Sequence, residues 1–207
     1  MGLILNMILS AVSLVVGMLI GLPLGAFRVM APLWVRAPIS LLLALIRATP
    51  LLLLVLWNYL FIQVVLVLPL EPLWIGCISL SLYALTHISD IVKAGTLAVS
   101  KEQQRTALAL GLNSFQIARY VIIPVAVQVM IPAFTTFCTT LFKDSSVCYV
   151  IGVMELMRFG VLETTRHPQY ILQYYGLVAL LFFIVTMSGA GLARLLERRC
   201  KIRGTIS

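Results

Sequence analysis

The sequence predicts an all-α membrane protein of about five transmembrane helices, with a short helix in the loop between the third and the fourth. Three observations lead there. Of 207 residues, 61% are hydrophobic and only 11% charged. A soluble domain carries about 25% charged residues, so this chain has too little polar surface to wrap a water-facing globule. Five runs lack Asp, Glu, Lys and Arg altogether: 1–27, 48–70, 72–89, 120–142 and 167–193. A helix needs about 20 such residues to cross a hydrocarbon core roughly 30 Å thick. None of the runs shows the alternation of about 10 residues that marks barrel strands, and helices pair their own backbone groups, as lipid demands. The composition also excludes the disordered, collagen-like and disulfide-rich classes. A single membrane domain over residues 1–207 follows.

The spans are expected at 4–27, 38–62, 72–92, 118–142 and 170–193. The first carries Gly17, Gly21 and Gly25, two overlapping GxxxG steps that favour close helix packing, within the subunit or between subunits. The second is irregular. Residues 37–70 are apolar apart from Arg47, too many for one crossing, yet no Gly, Asn-Gly or Pro-Gly turn precedes Pro69. One tilted span starting near Pro38 is therefore expected, with the tail 61–68 along the interface or beyond it. Trp57 and Tyr59 suit either an outer interface or packing against neighbouring helices. In the same span Pro50 removes a backbone donor and predicts a kink; Pro124 and Pro132 raise the same expectation in span four.

Orientation follows from the basic residues. Five crossings put the termini on opposite sides. One side collects Arg28, Arg36, Arg47, Lys93, Lys101, Arg105, Arg119, Arg194, Arg198, Arg199, Lys201 and Arg203; the other has only Lys143, Arg158 and Arg166. A split of twelve to three places the first group in the cytoplasm, so the amino terminus is expected outside and the carboxyl terminus inside. A cleavable signal carries its positive charge ahead of the apolar run, and none precedes Arg28, so the first run reads as a retained helix. The net charge of +8 is then largely topological rather than a sign of nucleic-acid binding.

Cys77, Cys138, Cys148 and Cys200 form no CxxC pair, and His87 and His167 form no HxxxH or HExxH; neither set argues for a metal site. No GxxxxGK[ST] is present, nor G-x-S-x-G, nor a pair of catalytic carboxylates. The chain is expected to be neither an ATPase nor any other enzyme.

The loop at 90–119 is long for so compact a protein, and long structured loops are usually functional. Thr106-Ala-Leu-Ala-Leu110 favours helix, Gly111 fits a left-handed helix end, and Asn113-Ser114 suits the cap of the following helix. A short helix, a glycine turn and then span four are expected, and a compact helix at the membrane surface is a shape suited to a partner's groove.

The stretch Asp90-x-x-Lys-Ala-Gly95, followed by Gln104-Arg-Thr-Ala-Leu-Ala-Leu-Gly111 and Pro124, resembles the coupling loop of membrane subunits in binding-protein-dependent ABC importers. In that family a Glu-Ala-Ala triplet precedes a glycine, and Ile-x-x-Pro follows in the next helix; Ala107, Gly111, Ile122 and Pro124 fit, whereas Arg105 and Thr106 replace Glu and the first Ala. Three further segments resemble the polar amino-acid branch of the family: Arg47-Ala-Thr-Pro-Leu-Leu52, Leu141-Phe-Lys-Asp-Ser-Ser-Val147 and Ile151-Gly-Val-x-Glu-Leu156. The resemblance implies a permease subunit of a bacterial inner-membrane importer, paired with a second permease subunit, identical or homologous. It implies two ATP-binding cassette ATPase subunits, which use ATP and Mg, and an external solute-binding protein. This chain would itself bind no cofactor. The coupling contacts would fall on Arg105, Thr106, Ala107, Leu110 and Gly111. Leu54, where many members carry Gln, resembles members for acidic more than basic amino acids.

Lys143, Asp144, Ser145 and Ser146 are the expected substrate-pathway residues, with Arg47 and Thr49 beside them. A charge left unpaired at membrane depth costs about 3 kcal/mol. An amino acid offers a carboxylate to a cation and an ammonium to an anion, and the serine hydroxyls add donors and acceptors. The alternative for Lys143 and Asp144 is a helix end reaching headgroup water; for Arg47, Thr49 and Pro50 it is kink packing, with the Arg47 side chain reaching for the membrane surface. For the whole chain, the alternative function is a self-contained secondary transporter or channel subunit, which would call for inverted repeats and ion dependence.

Overall fold

Among the described residues, four long helices and one broken one form the framework, with short helices between them. The computed structural model describes the backbone of residues 1–204 and the side chains of residues 1–191 and 193–195. Arg198, Arg199, Cys200, Lys201 and Arg203, four of them used in the orientation count, fall outside the described side chains. The helices are α1 (Gly2–Met30), α2 (Leu33–Ala48), α3 (Leu51–Leu60), α4 (Pro72–Leu97), α5 (Lys101–Ala109), α6 (Ser114–Ile117), α7 (Ile123–Asp144), α8 (Leu156–Arg166) and α9 (Ile171–Gly204). A π-helical turn, Ala118–Ile122, carries α6 into α7, and a 3-10 turn, Ser145–Ile151, follows α7. No strand occurs among the described residues. Among the described residues four segments are long and apolar enough to cross a membrane: Gly2–Met30, Pro72–Leu97, Ser114–Ile151 and Pro168–Leu195. A fifth is made when the bent pair Leu33–Ala48 and Leu51–Val65 counts as one span.

That pair corrects the single tilted span expected over 38–62. Helix α2 starts at Leu33, keeps Pro38 inside it, and ends before Thr49; α2 and the segment after it are bent by 101°. The cause is local. A residue before proline is pushed out of the helical region, and Thr49 is extended, with ψ 127°. Pro50 has no N–H to continue the ladder. The kink expected at Pro50 is therefore a corner, and Thr-Pro was the turn signal in a stretch that lacks glycine. Beyond α3, a π-helical turn (Phe61–Val65) leads into an exposed apolar loop.

Helix α1 turns one face inward, made of Gly2, Asn6, Leu9, Ser13, Gly17, Gly21, Gly25 and Arg28. Successive members are three or four residues apart, so they line one side of a helix. Its middle is glycine because α4 presses against it. A Cβ on Gly17 would stand 2.7 Å from the Ala84 Cβ, on Gly21 2.8 Å from the Leu85 carbonyl oxygen, and on Gly25 2.6 Å from the Val92 Cβ. The GxxxG face thus serves packing inside the subunit, where small residues bring two backbones close. The other side of α1, with Ile4, Val15, Leu19 and Ile20, is exposed, as a lipid-facing surface should be. Helix α4 is the central element: Ile75, Leu80, Ala84 and Ile88 are fully buried, joined in the core by Val55, Phe137 and Leu141.

At one end of α1 a polar corner ties distant segments together. The Asn6 side-chain amide donates to the Ser145 hydroxyl (2.9 Å) and to the Glu155 carboxylate (3.0 Å), and its oxygen accepts the Leu156 N–H (3.1 Å). Glu155 also accepts the N–H groups of Met157 (2.8 Å) and Arg158 (2.7 Å), capping α8. Asn6, Ser145 and Glu155 are all fully buried. Burial raises the Glu155 carboxyl above the usual carboxylate range, while the N–H groups of Met157, Asn6 and Arg158 pull it back. With a raised folded-state pKa, its contribution is complete below the unfolded value, about 4.3, and is lost as pH rises through the folded one.

Two outcomes are expected. Gly21→Leu should destabilise the subunit by about 1–3 kcal/mol through overpacking, whereas Gly176→Ala, with nothing within 4 Å of the new Cβ, should be tolerated; thermal melting of the purified subunit in detergent compares them. Glu155→Ala should cost about 2 kcal/mol, from a lost cap and an orphaned buried amide. Glu155→Gln should be milder and should lack the part of the stability decline above pH about 4.3 that Glu155 contributes, measured by melting temperature against pH.

Candidate functional site

The first candidate region is the corner between α4 and α7. The Ser100 hydroxyl accepts the Gln103 N–H (3.1 Å) while the Gln103 side chain accepts the Ser100 N–H (3.2 Å), a capping box that starts α5. The helix ends in a Schellman turn: Gly111 N–H donates to the Leu108 carbonyl (3.0 Å) and Leu112 N–H to that of Ala107 (3.2 Å). Gly111 has φ +83°, so the left-handed end predicted for it is present. A second capping box, between Asn113 and Gln116 at 2.9 Å each way, starts α6. The predicted order of helix, glycine turn and next helix therefore stands. Of the residues expected to couple, Ala107 is buried and anchors α5, while Arg105, Thr106, Leu110 and Gly111 are exposed. Leu110, which caps the end of α5, is 77% exposed and Phe115, across the turn on α6, 72%, a large apolar surface beside a short polar helix.

The second region lies at the other end of α1 from the Asn6 corner. Arg28 is 1% exposed and donates to the Ser89 hydroxyl (2.9 Å), to Asp90 (2.7 Å) and twice to the Ser40 hydroxyl (3.0 and 3.3 Å). Arg47, in the last turn of α2, pairs with the other Asp90 oxygen and donates to the Thr86 carbonyl (3.2 Å). Instead of reaching for the membrane surface, Arg47 turns inward to a carboxylate. Thr49 returns its hydroxyl to the Leu45 carbonyl (3.1 Å), satisfying the end of α2.

The third region joins α4 to α7. Tyr83 and His87, one turn apart on α4, have ring centroids 4.4 Å apart, and His87 stacks on Phe137 at 5.1 Å. Tyr83 also lies near Asp144 on α7, and His87 near Arg47 and Asp90. A strip of polar and aromatic groups thus runs along α4 from Asp144 to the Arg47–Asp90 pair. Lys143 is exposed, and Asp144 and Ser146 are half-buried. Ser145 turns into the core, donating to the Phe142 carbonyl (2.7 Å) and accepting from Asn6. It therefore supports the segment from behind, and the expected foursome is not one surface. Among the described residues no group of three or more His, Cys, Asp or Glu side chains is placed to hold a metal.

Sequence reasoning passed over Arg28 except as a topological marker, and passed over Asn6, Tyr83 and the cap made by Glu155. The signal for the first two was present. Asn6 and Arg28 are the polar ends of the small-residue stripe that runs through Gly17, Gly21 and Gly25.

Residues 13–202 match the family described as binding-protein-dependent transport system inner membrane component. The chain is 30% identical over 196 residues to the glutamine transport system permease protein GlnP of Escherichia coli strain K12, covering 94% of this chain and 89% of that protein. It is 28% identical over 207 residues to the glutamate/aspartate import permease protein GltK of Escherichia coli O6:H1, covering 96% and 91%. A chain from the crystal structure of an amino acid ABC transporter with histidines superposes with a TM-score of 0.85 at 27% identity, over 96% of this chain and 92% of that one. A self-contained transporter or channel is therefore set aside. Taken with the spans and the helix–glycine–helix corner, the match over most of the length shows that this chain belongs to the inner-membrane permease components of binding-protein-dependent ABC import systems, and is a transport subunit rather than an enzyme.

Proposed function

We propose that this chain is the permease subunit of an ATP-driven importer of a polar amino acid, with the amino terminus outside and α5 on the cytoplasmic side. The observation that carries the reading is the α5–Gly111–α6 corner. It is a capped helix whose only buried residue is Ala107 and which offers Leu108, Leu110 and, across the turn, Phe115 outward. Two ATPase subunits, using ATP and Mg, would dock on this corner and its counterpart in a second permease subunit, identical or homologous. An external solute-binding protein would deliver the substrate. No cofactor is assigned to this chain.

The substrate class rests on relatives whose names carry glutamine and glutamate/aspartate. Leu54, largely buried in α3, inclines the reading toward acidic members. Along the pathway, Asp144 and Lys143 would meet the ammonium and carboxylate of the substrate, with Ser146 beside them and Ser145 behind. Arg47 would present a cation further along α4, next to Thr49 at the bend. The carbonyl end of α2 and the N–H end of α3 that meet at that bend, with the half-buried charges of α4, suit a path lined by water and a second subunit rather than lipid.

Gly111→Asp places a charge in the docking turn. The subunit should remain in the membrane at its normal level, while co-purified ATPase and uptake both fall about tenfold, the loss of roughly 1.4 kcal/mol of association; undiminished association and uptake would sink the docking assignment. Asp144→Asn should lower uptake at limiting substrate by about tenfold, the scale of one charge-assisted hydrogen bond, with assembly retained. Equal uptake by the variant and the unaltered chain would remove Asp144 from the pathway.

A further inference from the structure

Two arginines share one carboxylate beside the broken span, and their surroundings differ. Arg28 is all but fully buried, and its donors are taken by Ser40, Ser89 and one oxygen of Asp90. Its side chain joins α1 to both α2 and α4. Arg47 keeps 22% of its side chain exposed, and one terminal nitrogen makes its contacts both with Asp90 and with the Thr86 carbonyl. Among the described residues, no hydrogen bond from its Nε or its other terminal nitrogen is found. Arg47 also sits two residues before Thr49, where α2 stops and the chain turns by 101°.

The charges decide which contact opens. Releasing Arg47 leaves Arg28 and Asp90 behind as a neutral, hydrogen-bonded pair, and it frees a cation already partly exposed. Releasing Arg28 would strand a guanidinium in the core, a cost that a buried ion without its partner always carries. The cluster therefore has a fixed half and a half that can let go.

Its position gives that asymmetry a use. Asp90 lies seven residues before the end of α4, about 10 Å along the axis. Only residues 98–100 separate α4 from α5. That link is held: Val99 is 3% exposed, and the Gln104 side chain donates to its carbonyl (3.4 Å). A displacement of α5 is thus carried into the stretch of α4 that bears Asp90.

We infer that the Arg28–Asp90–Arg47 cluster is a clasp that couples α5 to the bend at Thr49–Pro50. Arg28 is its permanent hinge, and the Arg47–Asp90 contact is the part made and broken in each transport cycle. In this role Asp90 and Arg28 are positioning residues acting through Arg47. The inference rests on the reading of α5 as the ATPase docking helix.

The test uses the complete transporter, the permease with its co-purifying ATPase and binding protein, in proteoliposomes. Uptake per ATP hydrolysed is measured for Asp90→Asn, Arg47→Gln, the double variant and Arg47→Lys, alongside ATPase association and melting temperature. Arg47→Gln should lower uptake per ATP about tenfold, the scale of an ordinary coupling free energy, while the ATPase stays bound, hydrolysis continues and the melting temperature holds. Asp90→Asn should lower uptake per ATP at least as much and should also lower the melting temperature, because it takes the counter-ion from buried Arg28. The double variant should be no worse than Asp90→Asn alone, because that change already breaks the Arg47 contact, and Arg47→Lys should recover most of the coupling. Arg28→Gln, by contrast, should fail to accumulate as assembled complex. Uptake per ATP equal to that of the unaltered protein, with ATPase bound, overturns the clasp and leaves the docking reading intact. Uptake and hydrolysis falling together with melting temperature in Arg47→Gln, or a double variant equal to the product of the singles, also overturns it. Absence of any ATPase bound to the unaltered chain overturns the docking reading and the clasp with it.

Discussion

The close approach of α1 to α4 is the contact on which the other positions depend. Lipid gives apolar helices no reason to separate from it, so packing and polar contacts must hold the bundle together. Here the packing comes from omission: three glycines let the α4 backbone and its small residues settle where side chains would otherwise stand. Once α4 is held this way, its remaining faces are committed. One meets α7, where Gly95 leaves room for Met130 and the Ala126 carbonyl, and another meets α3 and the turn after α7. The aromatic part of the strip on α4 is taken up by Phe137 of α7, and its ionic end is left to meet the last turn of α2, beside the bend of the broken span.

Polar groups finish what packing begins. The Asn6 corner pairs buried hydrogen-bonding groups on α1, the 3-10 turn and α8; the Arg28 cluster does the same for α1, α2 and α4. Both are costly if half-made and specific if complete. They differ in electrostatics. The first saturates a carboxylate with N–H donors and is closed. The second sets two cations against one anion, and so retains a charge for something else to answer.

How much of this was legible depended on how local the cause was. The helix–glycine–helix corner could be read because capping residues and a left-handed glycine act within a few positions of one another, and Ser100, Gly111 and Asn113 do so here. Gly17, Gly21 and Gly25 announced a packing face, but the partner, α4, is more than fifty residues away and spacing alone does not name it. The bend at Thr49–Pro50 is sharper than a proline kink: no glycine marks the turn, and its one signal is the conformational demand of proline on the preceding residue, carried by the dipeptide itself. Arg28 is legible as a topological charge and Asp90 as the start of the long loop; their pairing is a product of tertiary geometry. Ser145 was read as a hydroxyl on the pathway, and its inward turn depends on Asn6, 139 residues earlier.

Asn6 and Arg28 also turn α1 into a ruler. They lie 22 residues apart, about 33 Å along a helix, and that is close to the thickness of a bilayer's hydrocarbon layer, roughly 30 Å. Each is bound to partners on other elements, so α1 cannot slide along α4 to suit a thinner or thicker membrane. Mismatch must then be met by tilting the bundle as a whole or by deforming the lipid around it. The subunit is in this sense calibrated to its membrane, and a change in bilayer thickness acts on it as a mechanical load shared by both polar pins.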